Sequence, residues 1–206
     1  MLAIERDRDM LAVLREELGG VEALEVREGD AATLDLGALA VEHGPLAVVG
    51  NLPYAISVPS FATSWSSGGA LSRAVVMVQR EVRDRLLAEP GGKTYGALTV
   101  FVQAAFEVQP VLRVPAGAFH PPPKVESAVV RLVPRAVPRA EETEAFREVV
   151  HAAFGVRRKT LRNALKRIGA EAALERAGID GGRRGETLSI EELAALAAAL
   201  RRARSR

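Results

Sequence analysis

Met1 to Glu5 is a short apolar run closed by an acid, and Met10, Leu11, Leu14 and Leu18 then recur at helical spacing between Asp7 and Leu18. The pattern predicts a strand running into a helix whose first turn holds acids, where the helix dipole favours them. Ala23 to Val26 followed by Gly29-Asp30 reads as a second strand entering a turn. Leu46 to Asn51 is a continuous apolar run with a polar tip, and both segments read as buried parallel strands. Val75 to Val78, ending in Gln79, is a fourth such run, and the charged stretch Arg80 to Ala88 behind it is helical in pattern. Strands alternating with helices predict an α/β fold with a parallel sheet.

The pattern changes after the turn signal Pro90-Gly91-Gly92. Leu98 to Val114 is long, β-branched and aromatic, and Ala128 to Val133 is a second strand candidate, so an antiparallel pair is expected to close the sheet. Pro134 to Pro138 disfavours helix and marks a boundary. Beyond it three apolar stripes at helical spacing predict a small all-helical domain: Phe146, Val149, Val150, Ala153 and Phe154; Leu161, Leu165 and Ile168; Ile190, Leu193, Leu196 and Leu200. The expected domains are 1–138 and 139–206.

Composition narrows the chemistry. With 48% hydrophobic and 26% charged residues in 206, the chain can bury a core. Its longest apolar runs fall short of the roughly 18 residues a membrane span needs, and no apolar leader follows Met1, which points to a cytoplasmic protein with no membrane partner. Zero cysteines exclude disulfides, thiolate zinc sites and cysteine nucleophiles, and three scattered histidines argue against a metal site. The net charge of +2 hides an asymmetry: residues 1–150 carry 15 basic against 20 acidic side chains, and residues 151–206 carry 13 against 6. An acidic body with a basic tail makes nucleic acid the leading partner class.

Glu5, Asp30 and Asn51 stand where successive parallel strands should end. In doubly wound sheets the ligand crevice lies outside the carboxyl ends of the strands, so these tips are expected to converge on one ligand, Glu5 accepting from ribose hydroxyls. An exposed acid before a helix is the competing reading. Asn51-Leu52-Pro53-Tyr54 supplies a polar amide, a turn-fixing proline and an aromatic ring, the parts needed to hold a planar amine. The Asn side-chain oxygen and the Pro carbonyl can accept the two amine hydrogens while the ring stacks on the base. Arg157, Arg158 and Lys159, with Arg162 and Lys166 beyond them, are read as the start of a helix on which 158, 162 and 166 share a face that suits an RNA backbone. A solvated helix face is the alternative. Lys124 could add a contact at the site's rim, whereas Arg201, Arg202, Arg204 and Arg206 read as a frayed tail and His43 and His151 carry no role.

Six segments in order resemble the small-subunit (16S) ribosomal RNA adenine N6,N6-dimethyltransferases: Ala3 to Asp7, Gly29 to Ala31, Asn51 to Ser57, Val78 to Val82, Phe119 to Val125 and Arg157 to Leu165. The resemblance implies a Rossmann-like class I methyltransferase sheet and S-adenosyl-L-methionine as cofactor. It implies methyl transfer to two adjacent adenines near the 3′ end of small-subunit rRNA, in the immature 30S subunit, by a monomer. By the same resemblance Glu5 binds the cofactor ribose, Asp30 and the Ala31 backbone its adenine, and Asn51 borders the cofactor. Asn51 and Pro53 orient the target amine, and Tyr54 and Phe119 sandwich the flipped adenine.

In the resembling family a strand, a glycine-rich turn and a helix precede the position of Glu5. The sheet of this chain, starting at Met1, is therefore expected to lack its N-terminal strand, an internal start at a valine codon being one explanation. A truncated paralogue that binds rRNA without transferring methyl groups is the other. A large-subunit methylase of the erythromycin-resistance type shares the Asn-Leu-Pro-Tyr pattern, with Phe119 to Val125 and Arg157 to Leu165 arguing for the small subunit.

Overall fold

Asp7 opens the first helix because its carboxylate accepts from the backbone N–H groups of Asp9 and Met10, two donors a helix cannot satisfy itself. This helix, α1 (Arg8–Leu18), links the parallel strands β1 (Leu2–Glu5) and β2 (Glu25–Glu28). A computed structural model describes residues 1–51, 69–156 and 158–205 of the chain. Asp35 caps α2 (Leu36–His43) in the same way through the N–H of Ala38, and α2 delivers the chain to β3 (Leu46–Asn51). β3 runs parallel to β4 (Leu71–Gln79), which passes directly into α3 (Arg80–Leu86). The helix α4 (Ala97–Ala105) leads into β5 (Phe106–Val114), and β6 (Ser127–Pro134) returns between β5 and β4, antiparallel to both.

The strands form two pieces, β1-β2 and β3-β4-β6-β5. Among the described residues β1 and β3 are each unpaired on one edge, and α2 bridges the interval: Leu36 joins the sheet core, while Leu39 faces Leu2 and Ile4 across a cavity of 240 Å³. The expected α/β architecture with an antiparallel closing pair is present, but two details differ. β3 is not buried on both faces, for Val49 is 83% exposed, and β2 begins two residues later than its apolar pattern suggests. Leu98 to Val114 is not one strand, because its first half is α4. Leu98, Thr99, Val100, Phe101, Val102 and Ala104 are all buried, so both sides of that helix are apolar and no helical period shows.

The C-terminal segment is helical: α5 (Glu144–Gly155), α6 (Leu161–Leu165), α7 (Glu171–Ala177) and α8 (Ile190–Arg204). Thr143 caps α5 through the N–H of Phe146, and Ser189 and Glu192 bond reciprocally at the start of α8. α7 ends on Gly178 at φ 67°, a left-handed conformation that favours glycine. A Cβ at Gly185 would lie 2.4 Å from the carbonyl oxygen of Ala153, so its hydrogen lets the 185–187 turn press against α5. Tyr95 is 1% exposed, donates to the carbonyl of Leu188 at 3.0 Å, and has its phenol pushed up to about 12 by burial. The bidentate guanidinium of Arg139 holds Glu191 down to about 2, and Arg183 likewise lowers Glu192. Arg204 pairs with Glu148 at 2.8 Å, so α8 is anchored almost to its end rather than frayed there. No helix among the described residues is long and apolar enough to cross a membrane.

Candidate functional site

Glu5 is the last residue of β1, half-buried, and its Oε1 accepts from the backbone N–H groups of Arg6 at 2.7 Å and Asp7 at 2.9 Å. These bonds hold the carboxylate at the strand tip, next to the start of α1. The parallel register sets Glu5 opposite Glu28, and Gly29 donates to the Glu5 carbonyl at 3.0 Å, which carries Asp30 to the same edge. Arg6 closes the pair through an ion pair of 3.2 Å with Asp30 Oδ2. The Asp30 carbonyl accepts from the N–H and hydroxyl of Thr33, turning the chain into the short 3-10 segment Ala31–Thr33. Asp30 also lines the cavity walled by Leu2, Ile4, Leu34 and Leu39.

Carboxylate oxygens accept hydrogen bonds, so this edge suits a ligand offering a diol and an amine over an apolar body. Such a donor set fits the nucleoside part of S-adenosylmethionine. Among the described residues no cluster of three or more His, Asp and Glu could hold a metal ion.

Asn51 ends β3, exposed, opposite Met77 of β4. Pro53 and Tyr54 lie outside the described residues, as does Arg157. Gln79 at the tip of β4 pairs with Ser127 at the start of β6, so the 115–126 loop leaves the sheet at the edge where β3 ends. β3 and β6 flank β4, two strand spacings or roughly 10 Å apart. Phe119 follows a 3-10 turn (Ala116–Ala118) and is half-buried, and Lys124 is exposed. The structure thus brings Glu5 to Asp30, and Asn51 to the edge that carries the Phe119 loop.

The basic cluster is arranged differently from its expected helix face. α5 stops at Gly155, Arg158 and Lys159 occupy a turn, and only Arg162 of the proposed row lies on α6. Lys166 begins a separate 3-10 turn. Thr160 offers α6 no side-chain cap, and the N–H groups of Leu161 and Arg162 instead donate to the carbonyls of Arg183 at 2.8 Å and Gly181 at 3.0 Å. That partner is remote in sequence. All four described cations remain exposed.

Three residues of these edges were not anticipated: Arg6, whose signal is a cation between two acids, and the pair Arg80 and Glu126. Arg80 donates backbone N–H to the Glu126 carbonyl at 3.0 Å and Nη1 to its Oε2 at 2.9 Å. A charge directly after one strand tip and an opposite charge directly before another was the available sign.

The family "Ribosomal RNA adenine dimethylase" matches residues 1–201 of the chain. A ribosomal RNA small subunit methyltransferase A of Anaeromyxobacter dehalogenans is 47% identical over 97% of this chain and 75% of its own length. One of the same name from Nitrosococcus oceani is 47% identical over 94% of this chain and 74% of its own. The chain therefore spans about three quarters of these relatives. Among solved structures, a dimethyladenosine transferase from Plasmodium falciparum superposes with a TM-score of 0.77 at 25% identity, covering 95% of this chain and 79% of that one. The 23S rRNA methyltransferase ErmE gives 0.63 at 27% identity, covering 97% and 81%.

Proposed function

The chain belongs to the ribosomal RNA adenine dimethylase family, and from that premise we propose that it dimethylates the N6 amines of two adjacent adenines near the 3′ end of small-subunit rRNA. The observation that carries the reading is the pair of strand edges, one where Glu5 ends β1 and Arg6 pairs with Asp30, the other where Asn51 ends β3 on the side of the sheet from which the Phe119 loop leaves. S-adenosylmethionine supplies an activated methyl group on a sulfonium.

In this reading Glu5 accepts from the ribose hydroxyls, and Asp30, with the Ala31 backbone, engages the adenine amine. Asn51 borders the cofactor and, with the Pro53 carbonyl, accepts the hydrogens of the target amine, turning its lone pair toward the methyl group. Tyr54 and Phe119 flank the extruded base. No strong base is needed: the chain's residues contribute alignment, exclusion of water and dipoles aimed at a nitrogen that becomes positive. Lys124, Arg157, Arg158, Lys159, Arg162 and Lys166 hold the RNA backbone by charge without reading sequence. Residues 1–138 form the methyltransferase domain and 139–206 the helical RNA-binding domain. The protein works as a monomer on immature 30S subunits in the cytoplasm.

The curated relatives carry small-subunit names, which favours this substrate over the large-subunit and inactive alternatives. Transfer of labelled methyl groups to immature small subunits, compared with naked rRNA and with large subunits, tests the reading. Label on small-subunit adenines, abolished by Asn51→Ala, is the expected result; label confined to large subunits would overturn it.

A further inference from the structure

The 115–126 loop hangs from two antiparallel strands, and its far end meets the sheet through one residue. The Arg80 N–H is the first of α3 and has no acceptor within that helix, while Gln79, the residue before it, provides no side-chain cap. The Glu126 carbonyl takes that donor at 3.0 Å, and the Glu126 carboxylate receives the Arg80 guanidinium at 2.9 Å. The loop caps the helix and the helix fixes the loop. Both side chains are about half exposed, at 57% and 48%, so the pair adds little to global stability. Its geometric effect is larger, because it is a two-point attachment directly after the tip of β4, next to the β3 tip that carries Asn51. The loop's other hydrogen bonds among the described residues, Ala118 N–H to Pro115 and Phe119 N–H to Ala116, are internal to it and cannot set its height over the sheet.

We infer that Arg80 is a positioning residue: through Glu126 it sets where Phe119 stands relative to Asn51, and so how the target base is seated. This rests on the proposed adenine site. Neither side chain needs to touch substrate.

The test uses Arg80→Ala, Glu126→Gln, Arg80→Lys and the exchanged pair Arg80→Glu with Glu126→Arg, all in the full chain. Since misplacing a reacting group by about 1 Å can cost on the order of a hundredfold, Arg80→Ala and Glu126→Gln are expected to lower kcat on immature small subunits by about tenfold. The KM for S-adenosylmethionine should stay unchanged, and Arg80→Lys and the exchanged pair should recover most of the rate. Hydrogen exchange is the second readout: amides of 116–120 should exchange faster in Arg80→Ala while those of β4 keep their protection. Unaltered exchange in the loop, or an exchanged pair as slow as either single variant, would overturn the inference. If the unsubstituted chain labels no small subunits, the proposed function fails and the exchange result alone decides whether the attachment exists.

Discussion

Residues 1–51 and residues 139–205 are built to different standards. Among the described residues of the first region only Leu11 and Leu36 are buried apolar side chains, and Leu11 belongs to neither hydrophobic core. The second region contributes Phe146, Val149, Val150, Leu161, Leu165, Leu193 and Leu196, all at 0 or 1% exposure, to one continuous core. The first is held by helix caps, by the β1-β2 ladder and by the packing of Leu34, Leu36, Leu39, Leu46 and Val48 on the sheet core. The acids proposed to hold the cofactor thus sit on the thinly buried part and the basic turn on the deeply buried part. Regions with few buried contacts open at low free-energy cost, so the proposed cofactor edge with Glu5 and Asp30 is where binding would add most order.

The contrast can be broken most directly by truncation. Phe146→Ala should cost about 3–5 kcal/mol of unfolding free energy in urea melts, whereas Leu11→Ala, outside both cores among the described residues, should stay near the low end for buried leucine, about 2 kcal/mol. Equal losses would end the distinction. A smaller effect sharpens it: Tyr95→Phe removes only the bond to Leu188 and should cost about 1 kcal/mol.

The pH dependence separates the same groups by sign. Glu191 and Glu192 are easier to ionise in the folded chain, so their contribution is complete above the free carboxylate range and is lost as pH falls, toward 2 for Glu191. Glu191→Gln should flatten the acid limb of the melting temperature. Tyr95 runs the other way: its raised phenol contributes below pH 10 and the contribution is lost as pH rises toward 12, a limb Tyr95→Phe should erase.

What the sequence made legible follows the same division of local from remote causes. Leu46 to Asn51 was readable to the residue because an apolar run, a polar tip and a parallel partner coincide. The stripe from Phe146 to Phe154 was readable because one face is buried and the other is wet. Leu98 to Ala105 was not, since burial on both sides erases the helical period. The turn at Arg158 and Lys159 was not either, because the carbonyls of Gly181 and Arg183 that start α6 lie some twenty residues downstream. Of the site, Glu5, Asp30 and Asn51 announced themselves as strand tips; Arg80 and Glu126 did not, because an ion pair 46 residues apart has no local signature.

The helix α4 gives Leu98 and Val102 to the sheet core and Val100, Phe101 and Ala104 to the helical core. Covalent order puts a boundary at Pro138, yet the wall against which Phe146 rests lies on the other side of it: Phe101 meets that ring edge-on at 6.1 Å. A cut at Pro138 would therefore part the helical core from the wall formed by Tyr95 and Phe101, and a fragment carrying that core intact would have to begin before Ala88.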